Sequence, residues 1–420
     1  MIDPFDDITD SIRPALRHLY ATLYAQQDRF SNVTLQLPWD IYSSQDDIHS
    51  SSIKHLHLDI SSFSCWGDNW PKSEIAFSFD SCPLLEDLVV IGCHVQEEYR
   101  NLHVTQLLDL YCPSSLHVLE LRGAYLCTTI YKEEDEEEFL SAIKAWGTIN
   151  VWKLILIDVE INDYGIYDDF HIMFPSLTWL EIRHPHNFYR VEQLYSHALT
   201  LTLGKLQHLG LLIHEWTFLD AFQTPNVVTL DLEEGRFDEL DDAPEFDSGY
   251  VRNNPDECKA LNSESVVAFI ERNHIELEAL HLTSIEFKEE ELIESLDSMH
   301  SLKELRVRFK GTVVTDRLLQ ALSQRIKDIY IESDGRIFVD ACHLCPVLTT
   351  FSLTADLGNK HLSAEAVLDL VQSREVLVDE NDSELRESAW KELALPVTSW
   401  STFFLGKIID VNLSSTLVAE

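Results

Sequence analysis

Two clusters in the 420-residue chain hold ligand-type side chains at close spacing, Cys342-His343-Leu344-Cys345 and His184-Pro185-His186. A structural zinc needs four such ligands, with a second Cys or His pair at a fixed spacing. No such pair follows Cys345, so its two cysteines read as a helix end before Pro346. His184-Pro185-His186 reads as a turn with two exposed imidazoles. Metalloprotease, serine-hydrolase and phosphate-loop chemistry each require a local signature, and neither H-E-x-x-H, G-x-S-x-G nor G-x-x-x-x-G-K-[ST] occurs. The acidic runs, Glu133 to Glu138 and Asp238 to Asp247, lack the D-x-[DN]-x-[DN]-G calcium loop and read as solvated faces. The residues point to no catalytic site, no metal and no cofactor.

Composition narrows the partner. Asp and Glu number 72 against 31 Lys and Arg, a formal net charge of -41. Such a field repels nucleic-acid backbones and anionic membrane surfaces, and basic protein partners fit it better. Hydrophobic residues make up 45% of the chain, enough for a large core. The eight cysteines are scattered without a disulfide framework. Met1-Ile2-Asp3-Pro4-Phe5 lacks the basic and apolar regions of a signal peptide, and no apolar run reaches the length of a membrane span. The expectation is an intracellular protein, cytoplasmic or nuclear, with reduced thiols.

The most regular stretch is Leu85 to Val95, which reads L-x-x-L-x-L-x-x-C-x-L with Val at two apolar positions, a leucine-rich-repeat signature. The triple L-x-x-L-x-L recurs at Ile53/Leu56/Leu58, Leu85/Leu88/Val90, Leu116/Leu119/Leu121, Val151/Leu154/Leu156 and Leu177/Leu180/Ile182. It continues at Leu206/Leu209/Leu211, Val227/Leu230/Leu232, Leu277/Leu280/Leu282, Leu302/Leu305/Val307, Ile326/Ile329/Ile331 and Leu348/Phe351/Leu353. Successive middle anchors lie 32, 31, 35, 26, 29, 21, 50, 25, 24 and 22 residues apart, mostly one strand-helix unit. Val33 to Leu37 reads as an imperfect first strand with Asn32 at its first anchor.

Helical patterns fall between strands at 104–110, 137–146, 191–199, 265–273, 290–299 and 315–326. Turn clusters precede several strands: Cys82-Pro83, Cys112-Pro113-Ser114, Phe174-Pro175-Ser176, Thr224-Pro225 and Cys345-Pro346. Proline there ends a helix and cannot donate to a strand ladder. The fold expected is α/β, a leucine-rich-repeat solenoid with irregular repeats, a curved parallel sheet on the concave face and helices on the convex face. Residues 1–30 form a helical lead-in and 31–357 the solenoid, with an acidic loop insertion at 233–260. Residues 358–420 form a C-terminal cap, helical at 364–372 and over Glu384 to Leu395.

If the anchors face inward, alternate residues line the sheet's other face. Tryptophan, tyrosine and arginine are the side chains most enriched at binding hot spots. The expected partner-binding residues are therefore Trp179, Arg183, Arg306, Arg308 and Tyr330, with Glu181, His208 and Arg122 on the same face. The bland alternative is that these side chains only pair across strands.

The segment Arg29-Phe30-Ser31-Asn32-Val33-Thr34-Leu35-Gln36-Leu37-Pro38, with the Pro-led strands and irregular repeats, resembles the leucine-rich-repeat region of F-box proteins expanded in mushroom-forming fungi. There an R-W-x-x-V-x-L-x-L-P-like strand follows the F-box. Ala364 to Arg374 resembles that family's late helix. The resemblance covers most of the chain through loose motifs. It implies selection of protein substrates for ubiquitination. One departure is that no Leu-Pro-x-Glu-type motif stands before Val33, so a ligase adaptor is implied as a partner only if an F-box lies upstream. The remaining expectation is a stand-alone scaffold or adaptor.

Overall fold

A computed structural model describes residues 29–36, 51–59, 82–91, 112–122, 125–126, 147–157, 160–161, 170–183, 201–213, 219–220, 222–234, 263–285, 288–309, 314–326, 330–331, 337–338, 341–355, 360–377, 386–388 and 391–394, and the single residues 18, 22 and 26. The chain forms two compact units, Met1–Lys205 and Leu206–Glu420. Among the described residues the first carries six strands of a parallel sheet: β1 (Asn32–Gln36), β2 (His55–Asp59), β3 (Asp87–Ile91), β4 (Val118–Arg122), β5 (Lys153–Ile157) and β6 (Trp179–Arg183). Each is parallel to the next. The second also carries six parallel-sheet strands among the described residues: β7 (His208–Ile213), β8 (Thr229–Glu234), β9 (Ala279–Ile285), β10 (Glu304–Phe309), β11 (Thr350–Ala355) and β12 (Glu392–Ala394). These too pair in parallel, each with its successor. The fold is α/β, a parallel-sheet repeat solenoid of the leucine-rich-repeat kind.

The register explains why the triples matter. Leu56, Leu88, Leu119, Leu154 and Leu180 stand directly beside one another, as do Leu58, Val90, Leu121, Leu156 and Ile182. In the second unit the same columns run Leu209, Leu230, Leu280, Leu305, Phe351, Leu393 and Leu211, Leu232, Leu282, Val307, Leu353. All of these anchors are buried. Side chains on strands alternate faces, so the residues between them fall on the opposite, open face. The burial along β2, β3, β5 and β6 alternates half-buried and buried accordingly.

The entry to six of the strands repeats a backbone device among the described residues. The amide of the first anchor closes a turn onto the carbonyl three residues back, as in Leu85 to Cys82, Leu116 to Pro113, Leu177 to Phe174, Val227 to Thr224 and Leu348 to Cys345. In four of these Pro occupies the second turn position, where its fixed φ suits the bend. The next carbonyl then accepts two amides of the following repeat. Lys54 O takes Glu86 N and Asp87 N at 2.7 and 3.0 Å, and Glu278 O takes Lys303 N and Glu304 N at 2.8 and 3.0 Å.

In the second unit, α2 (Ser263–Asn273), α3 (Glu289–Leu296), α4 (Asp316–Ser323) and α5 (Ala364–Ser373) pack in succession. The first acid of one helix satisfies the start of the next. Buried Glu289 accepts from Thr315 Oγ1 at 2.6 Å and from the amides of Thr315 and Leu318 at 3.2 and 3.0 Å. Asp316 Oδ1 accepts the Ser363 amide at 2.6 Å. At the end of α2, buried Asn273 accepts the Thr224 amide at 2.7 Å and donates to Phe269 O and Phe222 O at 2.9 and 3.3 Å, fastening the Pro225 turn. In the first unit a short helix, α1 (Phe170–Met173), sets Phe170 edge-to-face on Phe174 with centroids 5.4 Å apart.

Three expectations change. Ile326 and Ile331 are not in the parallel sheet, because β10 pairs directly with β11, and Ile329 lies outside the described residues. Arg325–Ile326 instead pairs antiparallel with Ala341–Cys342, and Tyr330–Ile331 with Ile337–Phe338. The stretch expected as a helix over Glu384 to Leu395 contains two strands, Arg386–Ser388 and β12. The free edge of β11 outweighs helix propensity there: Lys391 N donates to Thr349 O at 2.8 Å, and Leu393 is buried beside Phe351. Asn32 is not a first anchor, because it lies opposite His55 on the open face. The helices expected at 104–110, 137–146 and 191–199, His184-Pro185-His186, the run Glu133 to Glu138, most of the 233–260 insertion and the 401–420 end lie outside the described residues.

This face assignment predicts unequal costs for neighbouring substitutions. Leu154→Ala, at a fully buried anchor, loses about 2–5 kcal/mol. Ile155→Ala, on the open face, loses roughly 1 kcal/mol or less. Urea unfolding of the two variants measures both.

Candidate functional site

In the first unit the open face presents His55, His57 and Asp59 on β2; Asp87, Val89 and Ile91 on β3; and Val118, Glu120 and Arg122 on β4. Lys153, Ile155 and Ile157 follow on β5, then Trp179, Glu181 and Arg183 on β6. Strands β4 and β6 repeat one local pattern. Their sequences, Val-Leu-Glu-Leu-Arg and Trp-Leu-Glu-Ile-Arg, put Glu and Arg two residues apart on the same face. Arg122 Nε donates to Glu120 Oε1 at 2.5 Å, and Arg183 Nε to Glu181 Oε2 at 3.3 Å. Glu181 also accepts Trp179 Nε1 at 2.7 Å through its other oxygen. Lys153 Nζ lies 4.4 Å from the centre of the Trp179 ring, a cation–π contact. Trp179 is therefore fixed from both sides.

Between these two pairs, β5 places Ile155 beside Glu120 and Glu181, and Ile157 beside Arg122 and Arg183. The result is an apolar strip flanked by two oriented carboxylate–guanidinium pairs. Arg122, its Nε held by Glu120, keeps its Nη edge as a donor fork for carboxylate or backbone oxygen.

In the second unit His281, Arg306 and Ser352 share one row of the open face, and Thr283, Arg308 and Thr354 the next. Glu304 Oε1 accepts Arg306 Nε at 2.6 Å and meets His281 Nε2 at 3.0 Å. Burial works to raise the Glu304 carboxyl, but hydrogen bonds from Arg306 and His281 outweigh it and hold the group below its ordinary value.

The structure thus sorts the expected residues into two groups and an outlier. Arg122, Trp179, Glu181 and Arg183 come together on the first unit's face. Arg306 and Arg308 lie on the second, with His208 at its β7 position but buried at 8% exposure. Tyr330 belongs to neither, because its two-residue strand pairs antiparallel with Ile337–Phe338 away from the parallel sheet. Lys153, the cation on Trp179, was not among the expected binding residues. Its signal was present in the sequence: in register it occupies the strand position of Trp179.

The Cys342–Cys345 cluster is not the helix end expected: Cys342 ends a two-residue strand and Cys345 opens the Pro346 turn at φ 46°. Cys342 and Cys345 are buried free thiols, and exposed His343 turns to Asp297 at 3.3 Å. The guanidinium of buried Arg374 donates to Cys345 O at 2.6 Å and to Leu322 O and Leu344 O at 3.0 Å. Burial pushes the Cys345 thiol up to about 12, against the opposing charge of Arg374. Among the described residues no group of three or more His, Cys, Asp or Glu is placed to hold a metal ion, and no helix is long and apolar enough to cross a membrane.

Comparison with protein-family models and with curated proteins finds no match for the chain.

Two outcomes follow. At pH 8, iodoacetamide leaves Cys345 unmodified in the native protein and labels it after unfolding, as read by peptide mass spectrometry. A lowered Glu304 value means the pairing stabilises the fold above the ordinary carboxylate range and is lost as pH falls through the lowered value. Glu304→Gln accordingly flattens the acid side of the stability profile, measured by urea midpoints between pH 6 and 3.

Proposed function

We propose that the chain is a protein-recognition module, not an enzyme, and that its partner docks on the open sheet faces between the leucine columns. One observation carries this reading. Trp179 is held by Lys153 and Glu181, beside Arg183 and the half-buried Ile155–Ile157 strip. A pre-oriented aromatic anchor beside arginine and aliphatic surface is the composition of an interface hot spot, with little side-chain entropy left to lose on binding. The net charge of -41 favours encounter with partners that are basic overall.

Resemblance to the repeat region of fungal F-box proteins extends the proposal: this surface selects substrates for a cullin ubiquitin ligase. The second reading is a scaffold or adaptor without a ligase link. Co-purification of the full chain with the ligase adaptor separates the two. Stoichiometric association supports the first reading, and none supports the second.

For a partner bound by the full chain, Trp179→Ala weakens affinity by about 30-fold or more, the size of a hot-spot loss. Isothermal titration measures it. Unchanged affinity in Trp179→Ala and Arg306→Ala would place binding off the open faces.

A further inference from the structure

Among the described residues, the arginines on the parallel-sheet strands β1 to β12 follow a rule with one exception. Arg122, Arg183 and Arg306 each have a glutamate two residues earlier on the same face, Glu120, Glu181 and Glu304, and each is paired with it. Strand β10 reads Glu-Leu-Arg-Val-Arg, so the residue two before Arg308 is Arg306. Glu304 already serves Arg306 and His281. It also lies four residues back, about 13 Å along the strand. Arg308 is exposed and makes no ion pair among the described residues. In a chain where acids outnumber bases 72 to 31, an arginine without an acid runs against composition.

Its surroundings are also selective. Directly beside Arg308 stand Thr283 on β9 and Thr354 on β11, with Ser352 one row back beside Arg306. The nearest carboxylate position in that row is Glu233, two strands over with Thr283 between. Next to the site the β9 ladder carries a bulge: Thr283 pairs with Arg308 and Ile285 with Phe309, while Ser284 between them takes φ 58°. The bulge restores Ile285 to the Phe309 row and keeps Thr283 in the Arg308 row.

We propose that Arg308, with Thr283 and Thr354 beside it on the neighbouring strands, receives a carboxylate side chain, Asp or Glu, from a partner peptide lying across the second unit's open face. The inference rests on the reading of the open faces as protein-binding surfaces and names the chemistry that one of them selects. A guanidinium fork matches a planar carboxylate in two parallel hydrogen bonds. One unpaired cation balances one carboxylate, whereas phosphorylated peptides are met by arginine clusters. The chain's negative field does not forbid this local contact, because charges beyond about 8–10 Å are screened at physiological salt. The partner is therefore basic or neutral overall, with one fixed acid.

The test is selection of a random dodecapeptide phage library on the full chain, on Arg308→Gln and on the charge reversal Arg308→Glu, with thermal unfolding to confirm that each is folded. The wild-type chain enriches peptides with an Asp or Glu at one fixed position. Replacing that acid by its amide in a synthetic copy weakens binding at least tenfold, and Arg308→Gln abolishes the difference. Arg308→Glu enriches Lys or Arg at that position. Enriched peptides without a fixed acid, or with an acid preference that survives Arg308→Gln, overturn the carboxylate site while leaving the binding surface standing. No enrichment on the wild-type chain overturns both.

Discussion

Everything in this fold depends on parallel register. A strand in a parallel array must place its apolar residues beside those of both neighbours, because a slip of one residue would turn every leucine to the open side. The register is fixed twice in the repeats that begin at Leu85, Leu116, Leu177, Val227, Leu302 and Leu348. The turn amide of the first anchor sets where the strand begins, and the two amides that follow it meet one carbonyl of the preceding repeat. The leucine columns then close without offset from Leu56 to Leu180 in the first unit and from Leu209 to Leu393 in the second. A single anchor contributes modestly, roughly 1.5–3 kcal/mol for a fully buried leucine, but the columns add along the array.

The same constraint creates the surface for function. With one face committed to leucine, the other is free to vary, and it varies in an ordered way. The Glu-x-Arg pattern orients guanidinium groups on β4, β6 and β10 at the cost of neutralising them. What remains distinctive is the aromatic anchor Trp179 with Lys153 on it, and Arg308 without an acid among the described residues. In the second unit, inter-repeat contacts from Glu289, Asp316 and Asn273 hold the helices and turns in step with the sheet.

Much of this was legible in the residues. Ten of the eleven triples form sheet strands in the register their spacing implied, because leucine periodicity and Pro-led turns are both local signals. The failures have physical causes. Ile326/Ile329/Ile331 has the right spacing, but Arg325 is drawn to Ser373 O at 2.6 Å and its strand pairs antiparallel, so Tyr330 leaves the sheet. Trp390-Lys391-Glu392-Leu393-Ala394-Leu395 satisfies the triple with tryptophan at its first position, yet its helix-forming composition hid it. Of the candidate site, the row of residues was readable. Which arginines are satisfied was not, since that required seeing each strand's own acid beside it.

The account's central claim is that anchors face the core and the intervening residues face outward, in one register across each unit. Cysteine substitution at each position of β4 and β10 in turn, followed by alkylation rates in the native protein, tests it most directly. The account predicts slow labelling at 119, 121, 305 and 307 and fast labelling at 120, 122, 306 and 308. Uniform rates along the strands, or the opposite alternation, would contradict it.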